Sequence, residues 1–392
     1  MKHDMHVQEM QAVAATQFGG PEVLEPRRVP IPKLRPHDLL LRVEATSINP
    51  ADAKIRSRPN PSRTLPLILG FDVCGIVEDC GPEARGFGHG DRVIAACSLV
   101  RDGANAELVA VDARTCAPAP AKLTPEQAAA LPLAGVTAWG ALHERAHIRA
   151  GETVLIQAGA GGVGHLAVQF ARLHGCRVIA TAGRAESIAF CRDVLQADEV
   201  LDYRNVDVPA RVRELTAGRG LRAVFDFVGG EVFRQSAECL APSGQLVTIL
   251  GADPGPVGQT LLWKNATVHY EFMGTPTLYD LDCAAQGQML RGIARLADGR
   301  VAVRCWSSMV ALLPGSGRWR LDRQLEDLVH SGGGLVLEVR QHVRVSVQRD
   351  VNRCMPQAFA YDFGMDVLRQ HDRCGGVTGA VGAAPRKGCG SD

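Results

Sequence analysis

The sequence predicts an α/β protein: a β-rich, barrel-like N-terminal domain followed by a doubly wound parallel sheet. Three observations carry this. Residues 11 to about 120 hold short strand-like runs separated by Gly/Pro turn clusters. Residues 153–251 alternate apolar strand runs with helix-period stretches. At the first strand-to-helix joint of that alternation stands Gly159-Ala160-Gly161-Gly162-Val163-Gly164, a G-x-G-x-x-G with a strand before it and a helix after it. Composition agrees: 392 residues with 46% hydrophobic and 22% charged side chains are ordinary for a globular chain of two or more domains.

In chain order, the first domain offers strands over Gln11–Phe18, Asp38–Ile48, Val73–Glu78, Arg92–Ala96 and Ala106–Val111. Gly19-Gly20-Pro21, Pro30-Ile31-Pro32 and Gly86 to Asp91 read as turns between them. Short strands at this spacing suggest a compact barrel. Thr124-Pro125-Glu126-Gln127 then marks a helix start, with Thr124 as cap, Pro125 at the first helical position and Gln127 closing a capping box. A second helix is expected over Val136 to about His147.

The alternation follows: strand 153–158, helix 162–174, strand 177–182, helix 185–195, strand 199–202 and helix 208–216. Strand 223–227, a helix within 231–240 and strand 245–250 complete it. Val268–Phe272 gives one more strand and Asp280–Leu296 a long helix. Beyond about 300 the periodicity deteriorates, and 341–392 reads as a disordered or atypical tail.

Several classes are disfavoured. A net charge of +1 offers no footprint for nucleic acid, and no apolar run reaches the roughly 20 residues of a membrane span. The opening Met1-Lys2-His3-Asp4-Met5-His6 lacks the apolar core of a signal peptide. The 12 cysteines include no C-x-x-C pair, so neither a zinc ribbon nor a disulfide framework is indicated. Reduced thiols in the cytoplasm are expected.

The glycine stretch carries the chemistry. Gly159 allows the tight turn, Gly161 lets a pyrophosphate approach bare backbone, and Gly164 lets the helix pack close to the strand. The helix start then presents free N–H groups and a positive dipole end to the phosphates. Dinucleotide binding through Gly159, Ala160, Gly161, Gly162, Val163 and Gly164 is the expectation.

The order of domains, with Ser47-Ile48-Asn49-Pro50-Ala51-Asp52-Ala53-Lys54, Gly70-Phe71-Asp72-Val73-Cys74-Gly75, Gly90-Asp91-Arg92-Val93 and Leu131 to Trp139, resembles the medium-chain dehydrogenase/reductase superfamily. Within it the chain resembles the zinc-free quinone oxidoreductase branch. The match spans roughly 11 to 300. Phe225-Asp226-Phe227-Val228-Gly229-Gly230 is similar to the family's later strand and glycine turn. Ser331 to Val339 is similar to its closing strand, while 303–323 departs from the pattern. The resemblance implies a GroES-like catalytic domain over 11–130 with 275–340, and a Rossmann domain over 131–274. It also implies cofactor contacts at Phe227, Val228, Leu250 and Gly251.

Zinc alcohol dehydrogenases of the superfamily place a cysteine where this chain has Asn49, and a His-Glu pair where it has Phe71-Asp72. Neither asparagine nor phenylalanine is a usual zinc ligand, so no metal is expected. His143-Glu144-Arg145-Ala146-His147 does match H-E-x-x-H. It lacks the third ligand of the extended motif, and a strand begins almost at once after it. A solvated helix face is the expectation there.

For the cofactor, the second strand ends Thr181-Ala182-Gly183-Arg184 with no carboxylate to take a ribose 2′-OH. Arg184 suits a 2′-phosphate, or else sits solvated on the surface. By resemblance Tyr203 contacts that phosphate. NADP(H) is therefore expected, with Thr181, Gly183, Arg184 and Tyr203 near its adenosine end.

The expected reaction is hydride transfer to a quinone or an α,β-unsaturated carbonyl, with the difficult chemistry belonging to the cofactor. Asn49 is the first candidate to polarise the substrate oxygen, and Thr137 lies near the nicotinamide by resemblance. Phe71, Phe272 and Met273 are candidates for the pocket wall. Each has a plainer alternative. Asn49 before Pro50 suits a helix cap, Phe272 and Met273 suit core positions, and Asp72 suits a structural acid held by Arg92.

Two other functions are weighed for the same chain. A 2-enoyl thioester reductase would need a tyrosine donor in the barrel, and none of the four tyrosines, Tyr203, Tyr270, Tyr279 and Tyr361, lies there. A cofactor-binding relative without turnover is the other. A homodimer through a sheet edge near Val268–Phe272 is expected.

Overall fold

The computed structural model describes residues 8–59 and 63–299. The readings placed on 300–340 and on the tail 341–392 lie outside the described residues.

From the N-terminus the strands are β1 (Glu9–Ala15), β2 (Leu24–Pro30), β3 (Asp38–Ala45), β4 (Leu67–Ile68), β5 (Asp72–Cys80), β6 (Arg92–Ala96), β7 (Leu108–Asp112) and β8 (Cys116–Pro118). They make two antiparallel sheets, β2-β1-β4 and β7-β3-β5-β6-β8. Period-2 patterning explains the larger one. On β3, Leu39, Leu41 and Val43 turn inward to meet Val73 and Val77 of β5, while Arg42 turns outward and pairs Glu78 at 2.7 Å. The sequence reading missed β2 because prolines punctuate it. Among the described strands it is an edge strand paired only to β1, where Pro26 and Pro30 leave no ladder bond unmade on a central strand.

A short helix α1 (Pro50–Ser57) crosses between the sheets, and α2 (Pro125–Ala129) leaves the barrel. The capping box expected at α2 forms: Gln127 N–H donates to Thr124 Oγ1 at 3.3 Å and Thr124 N–H to Gln127 Oε1 at 3.1 Å. Next comes α3 (Pro132–Trp139), which widens into a π-type turn over Gly140–Arg145. The helix expected over Val136–His147 thus starts earlier and ends earlier, and His147 lies beyond it with φ +45.

The second half runs β9 (Thr153–Ile156), α4 (Gly162–Leu173), β10 (Arg177–Ala182), α5 (Ala185–Ala189), β11 (Glu199–Asp202), α6 (Val208–Leu215), β12 (Leu221–Asp226), α7 (Glu231–Cys239), β13 (Leu240–Thr248), α8 (Gly258–Trp263) and β14 (Thr267–Tyr270). The sheet order is β11-β10-β9-β12-β13-β14, with every pairing parallel. Both faces are covered. Val154, Ile156, Val178 and Phe225 pack on the α3–α4 side, and Leu155, Ile179, Val224 and Leu246 on the α6–α7 side. These strands accordingly read as unbroken apolar runs.

Helices α9 (Thr275–Tyr279) and α10 (Cys283–Asp298) close the described chain. α10 starts later than expected because Asp280 and Asp282 take left-handed φ values of +50 and +53. Its Leu290, Ile293 and Ala294 join Ile94 and Ala117 of the barrel and Val136 and Leu166 of α3 and α4 in one apolar cluster. Among the described residues no helix is long and apolar enough to cross a membrane.

Candidate active site at the carboxyl ends of the parallel strands

The loop after β9 is built from inside outward. Ala158 takes a left-handed φ of +52, and its N–H donates to Thr181 Oγ1 at 3.0 Å. Gly159 N–H donates to Thr181 O at 2.8 Å. The Thr181 hydroxyl donates to Gln157 Oε1 at 2.8 Å, and the Gln157 amide to Ser236 Oγ at 3.1 Å. Gln157, Thr181 and Ser236 are all buried. Thr181, expected at the cofactor, stands directly under the loop. Its side chain is consumed beneath the loop, where it holds the turn in shape.

α4 begins immediately above. A Cβ on Gly164 would collide with the Ala158 carbonyl oxygen and come within 3.1 Å of Gly159 Cα, so only hydrogen fits between helix and turn. Gly161 caps the helix, and the first-turn N–H groups that follow have no intrahelical acceptors. That leaves a nest of donors at the positive end of a 12-residue helix, suited to a diphosphate.

At the end of β10 the Tyr203 ring lies directly over Gly183. A Cβ there would meet Tyr203 Cζ at 2.5 Å and its hydroxyl oxygen at 2.7 Å. Gly183 and Tyr203 therefore come together at the carboxyl end of β10, with Arg184 next along the chain. Phe227, Val228, Leu250 and Gly251 follow β12 and β13 on the same edge of the sheet. Their two loops touch, with a Leu250 methyl 3.0 Å from where a Gly229 side chain would start. Buried Asp226 ties the first of them by accepting Val228 and Gly229 N–H, both at 2.9 Å. Burial raises the Asp226 carboxyl, and those bonds oppose the rise.

On the barrel side Asn49 caps α1, as its plainer reading had it. Its N–H donates to Asp52 Oδ2 at 2.7 Å, and Asp52 Oδ1 accepts Gly70 N–H at 2.8 Å. Its side chain does something further: Nδ2 donates to Asp72 Oδ2 at 2.6 Å. Asp72 also accepts the Ser47 hydroxyl and, at 2.6 Å, Leu133 N–H in the first turn of α3. The expectation that Arg92 holds Asp72 is corrected, since Arg92 forks onto Glu44 at 2.7 and 3.0 Å. Burial pushes Asp72 up to about 6, against the Ser47, Leu133 and Asn49 bonds. Burial pushes Asp52 up to about 7, opposed by the two N–H bonds and reinforced by the Asp72 charge.

Thr137, one turn along α3, donates its hydroxyl to Leu133 O at 2.8 Å and is largely buried. Phe71 has no exposed surface and packs with Leu24, Leu67 and Leu69 in the barrel core. The side chain expected on the pocket wall thus faces the barrel core. Met273 is 7% exposed and Phe272 40%, and a Cβ on Gly274 would lie 2.9 Å from both the Phe272 ring and Leu99 Cδ1. Sequence reasoning missed Leu99. Its loop is held from afar by the Arg101–Asp38 fork at 2.9 and 2.6 Å and by the Arg63 guanidinium on Leu99 O at 3.3 Å.

The H-E-x-x-H match does not assemble. His143 lies in the widened turn with its ring 4.3 Å from Trp139 and 5.0 Å from His174, and burial lowers it to about 4. His147 is past the helix end. Among the described residues no three His, Cys, Asp or Glu side chains converge so as to hold a metal.

Comparison with known proteins gives a consistent answer. Residues 35–121 match the family described as the alcohol dehydrogenase GroES-like domain, and residues 162–284 the family described as zinc-binding dehydrogenase. A quinone oxidoreductase of Pseudomonas aeruginosa is 38% identical over 240 residues, covering 61% of this chain and 73% of that one. A quinone oxidoreductase of Pongo abelii is 35% identical over 246 residues, with the same coverages of 61% and 73%. A solved alcohol dehydrogenase superfamily protein from Novosphingobium aromaticivorans superposes with a TM-score of 0.67 at 37% identity, covering 74% of this chain and 86% of that one.

Proposed function

This chain belongs to the medium-chain dehydrogenase/reductase superfamily, in its quinone oxidoreductase-like part, and on that premise we propose that it reduces a quinone or an α,β-unsaturated carbonyl with NADPH and without zinc. That it is a nicotinamide-dependent oxidoreductase follows from the relatives. The preference for NADPH rests on one observation, the Tyr203 ring seated on Gly183 beside Arg184 with no carboxylate at the end of β10. Zinc independence is supported by the donor set. Phe71 has no ligand atom and no exposed surface, and both Asp72 oxygens already accept bonds. Those residues do not fit a zinc ion, and no step is drawn through one.

The α4 first turn would hold the diphosphate, and Arg184 with Tyr203 the 2′-phosphate. A bound reduced nicotinamide supplies a hydride from its C4. Asn49 keeps a second amide hydrogen, with only a 3.4 Å approach to Ser47, to polarise the substrate oxygen as negative charge grows there. Leu99 and Phe272 exclude water from one side, and solvent delivers the final proton.

The test is a fluorescence titration of the protein with NADPH and NADH, with and without Arg184→Ala. The reading requires tighter NADPH binding, a loss of about tenfold in NADPH affinity for the variant, and little change for NADH. Equal affinity for both nucleotides overturns the 2′-phosphate assignment. NADPH binding with no oxidation across a quinone panel would favour a passive nucleotide-binding relative.

We also propose a cytoplasmic homodimer. The cysteines of the described residues are free thiols. β14 pairs only with β13 among the described strands, which leaves one strand edge open beside exposed Tyr270. Light scattering should give twice the chain mass, and a monomer at micromolar concentration sinks this part.

A further inference from the structure

One side chain joins the two halves of the site. Asp72 opens β5 and has no exposed surface. Its Oδ2 takes Ser47 and Asn49 from the barrel side, and its Oδ1 takes Leu133 N–H from α3. The same Leu133 offers its carbonyl to the Thr137 hydroxyl. A single carboxylate therefore ties Asn49 on one side to the helix turn that carries Thr137 on the other.

The bond also decides which end of the Asn49 amide is which. Turned over, the amide oxygen would stand 2.6 Å from a carboxylate oxygen, with no hydrogen between them. Nδ2 is thus committed to Asp72, and what Asn49 offers beyond it is Oδ1 and one N–H. Asn49 and Thr137 have both spent their best donor on the protein, which would make the site sensitive to whatever holds them. We propose that Asp72 is the positioning residue of this cleft: resting on the oxidoreductase reading above, it locks the Asn49 amide in one orientation and at a fixed spacing from Thr137.

The lock depends on charge. An ionised Asp72 accepts all three donors, whereas a protonated one turns one of its acceptor positions into an O–H donor and can no longer accept all three. Two titratable groups face it: Asp52 from α1, with Arg56 beyond, and the Cys97 thiol from the segment after β6. Burial holds Cys97 well above its ordinary value, so it stays neutral, and Asp52 titrates near 7 against about 6 for Asp72.

The experiment uses the full chain with ¹⁵N-labelled asparagine, of which the sequence has six. One side-chain amide pair, identified by its loss in Asn49→Ala, should shift with pH through a midpoint near 6. The step near 6 should vanish in Asp72→Asn, which leaves only what Asp52 contributes through the Asn49 N–H. In Ser47→Ala, which removes a bond that favours the ionised form, the midpoint should move up. In parallel, kcat/KM for 1,4-benzoquinone should fall at least about tenfold in Asp72→Asn with NADPH affinity within about twofold. An Asn49 pair that ignores pH, or that titrates unchanged in Ser47→Ala and Asp72→Asn, overturns the proposal, and Ser47→Ala decides it alone if Asp72→Asn does not fold. A wild-type chain that turns over no quinone defeats the oxidoreductase reading, while the amide titration still decides the role of Asp72.

Discussion

Gly164→Val is expected to weaken NADPH binding at least about 100-fold while leaving a folded parallel sheet. The reason is local and steric. The nearest neighbours of an added Cβ are the Ala158 carbonyl and Gly159 Cα, which are backbone atoms and cannot swing aside as a side-chain end would. The start of α4 must instead lift off the turn after β9. Overpacking of this kind costs about 1–3 kcal/mol of stability. The larger effect falls on function, because the donors proposed for the diphosphate belong to the displaced turn. Hydrogen bonds to a charged partner are worth about 1.5–3 kcal/mol each, and losing two gives the 100-fold figure.

Nicotinamide fluorescence measures the affinity and far-UV circular dichroism checks the fold. A folded variant that binds NADPH as tightly as the wild type would remove the glycine turn from the cofactor site. Gly164→Ala, which adds the same Cβ and nothing else, tests the same contact more gently.

His165→Leu, one residue further along α4, is expected to change how stability depends on pH. His165 has no exposed surface, its Nδ1 bonds Gly161 O at 2.9 Å, and its Nε2 is buried with no partner. Burial lowers it to about 4. An unfolded histidine takes up its proton near 6.5, well before the folded one. The stability held by the neutral ring is therefore complete above pH 6.5 and is lost as pH falls toward 4. Two and a half units at 1.36 kcal/mol each make this about 3 kcal/mol.

Asp52 and Asp72 act in the opposite direction. Their folded values of about 7 and 6 stand above the ordinary 3.8, so their burden on the fold lightens as pH falls through the same range. His143, lowered to about 4, adds to the loss. The wild-type curve mixes these groups with others that burial shifts, Asp226, Glu271 and His269 among them, but the difference between wild type and His165→Leu isolates one. By urea unfolding at pH 7.5 and at pH 4, the variant should gain about 3 kcal/mol on the wild type between the two. At pH 7.5 the lost bond to Gly161 O and the buried leucine should offset within about 1 kcal/mol. A difference that is flat with pH would show that the ring is not held neutral.

Both predictions concern a segment legible in the sequence. Gly159 to Gly164 could be read because everything it needs is local: an apolar strand, a turn that tolerates no Cβ, and a helix start. The capping box at Thr124 and Gln127 was legible for the same reason, as was the run of parallel strands, whose burial on both faces leaves continuous apolar stretches. β2 was hidden because its prolines are tolerated only at an edge, and being an edge is a property of the assembled sheet.

What the sequence determined alone was the two-part architecture and the glycine turn between β9 and α4, since both follow from residue type at fixed short spacing. Only the folded chain decided what the buried polar side chains do. Thr181 turned inward to Gln157, Phe71 went into the barrel core, Arg92 took Glu44, and Asp72 was left to gather Ser47, Asn49 and Leu133 from up to 61 positions away. A carboxylate removed from water must find its donors wherever the packing brings them, and no pattern along the chain records that meeting.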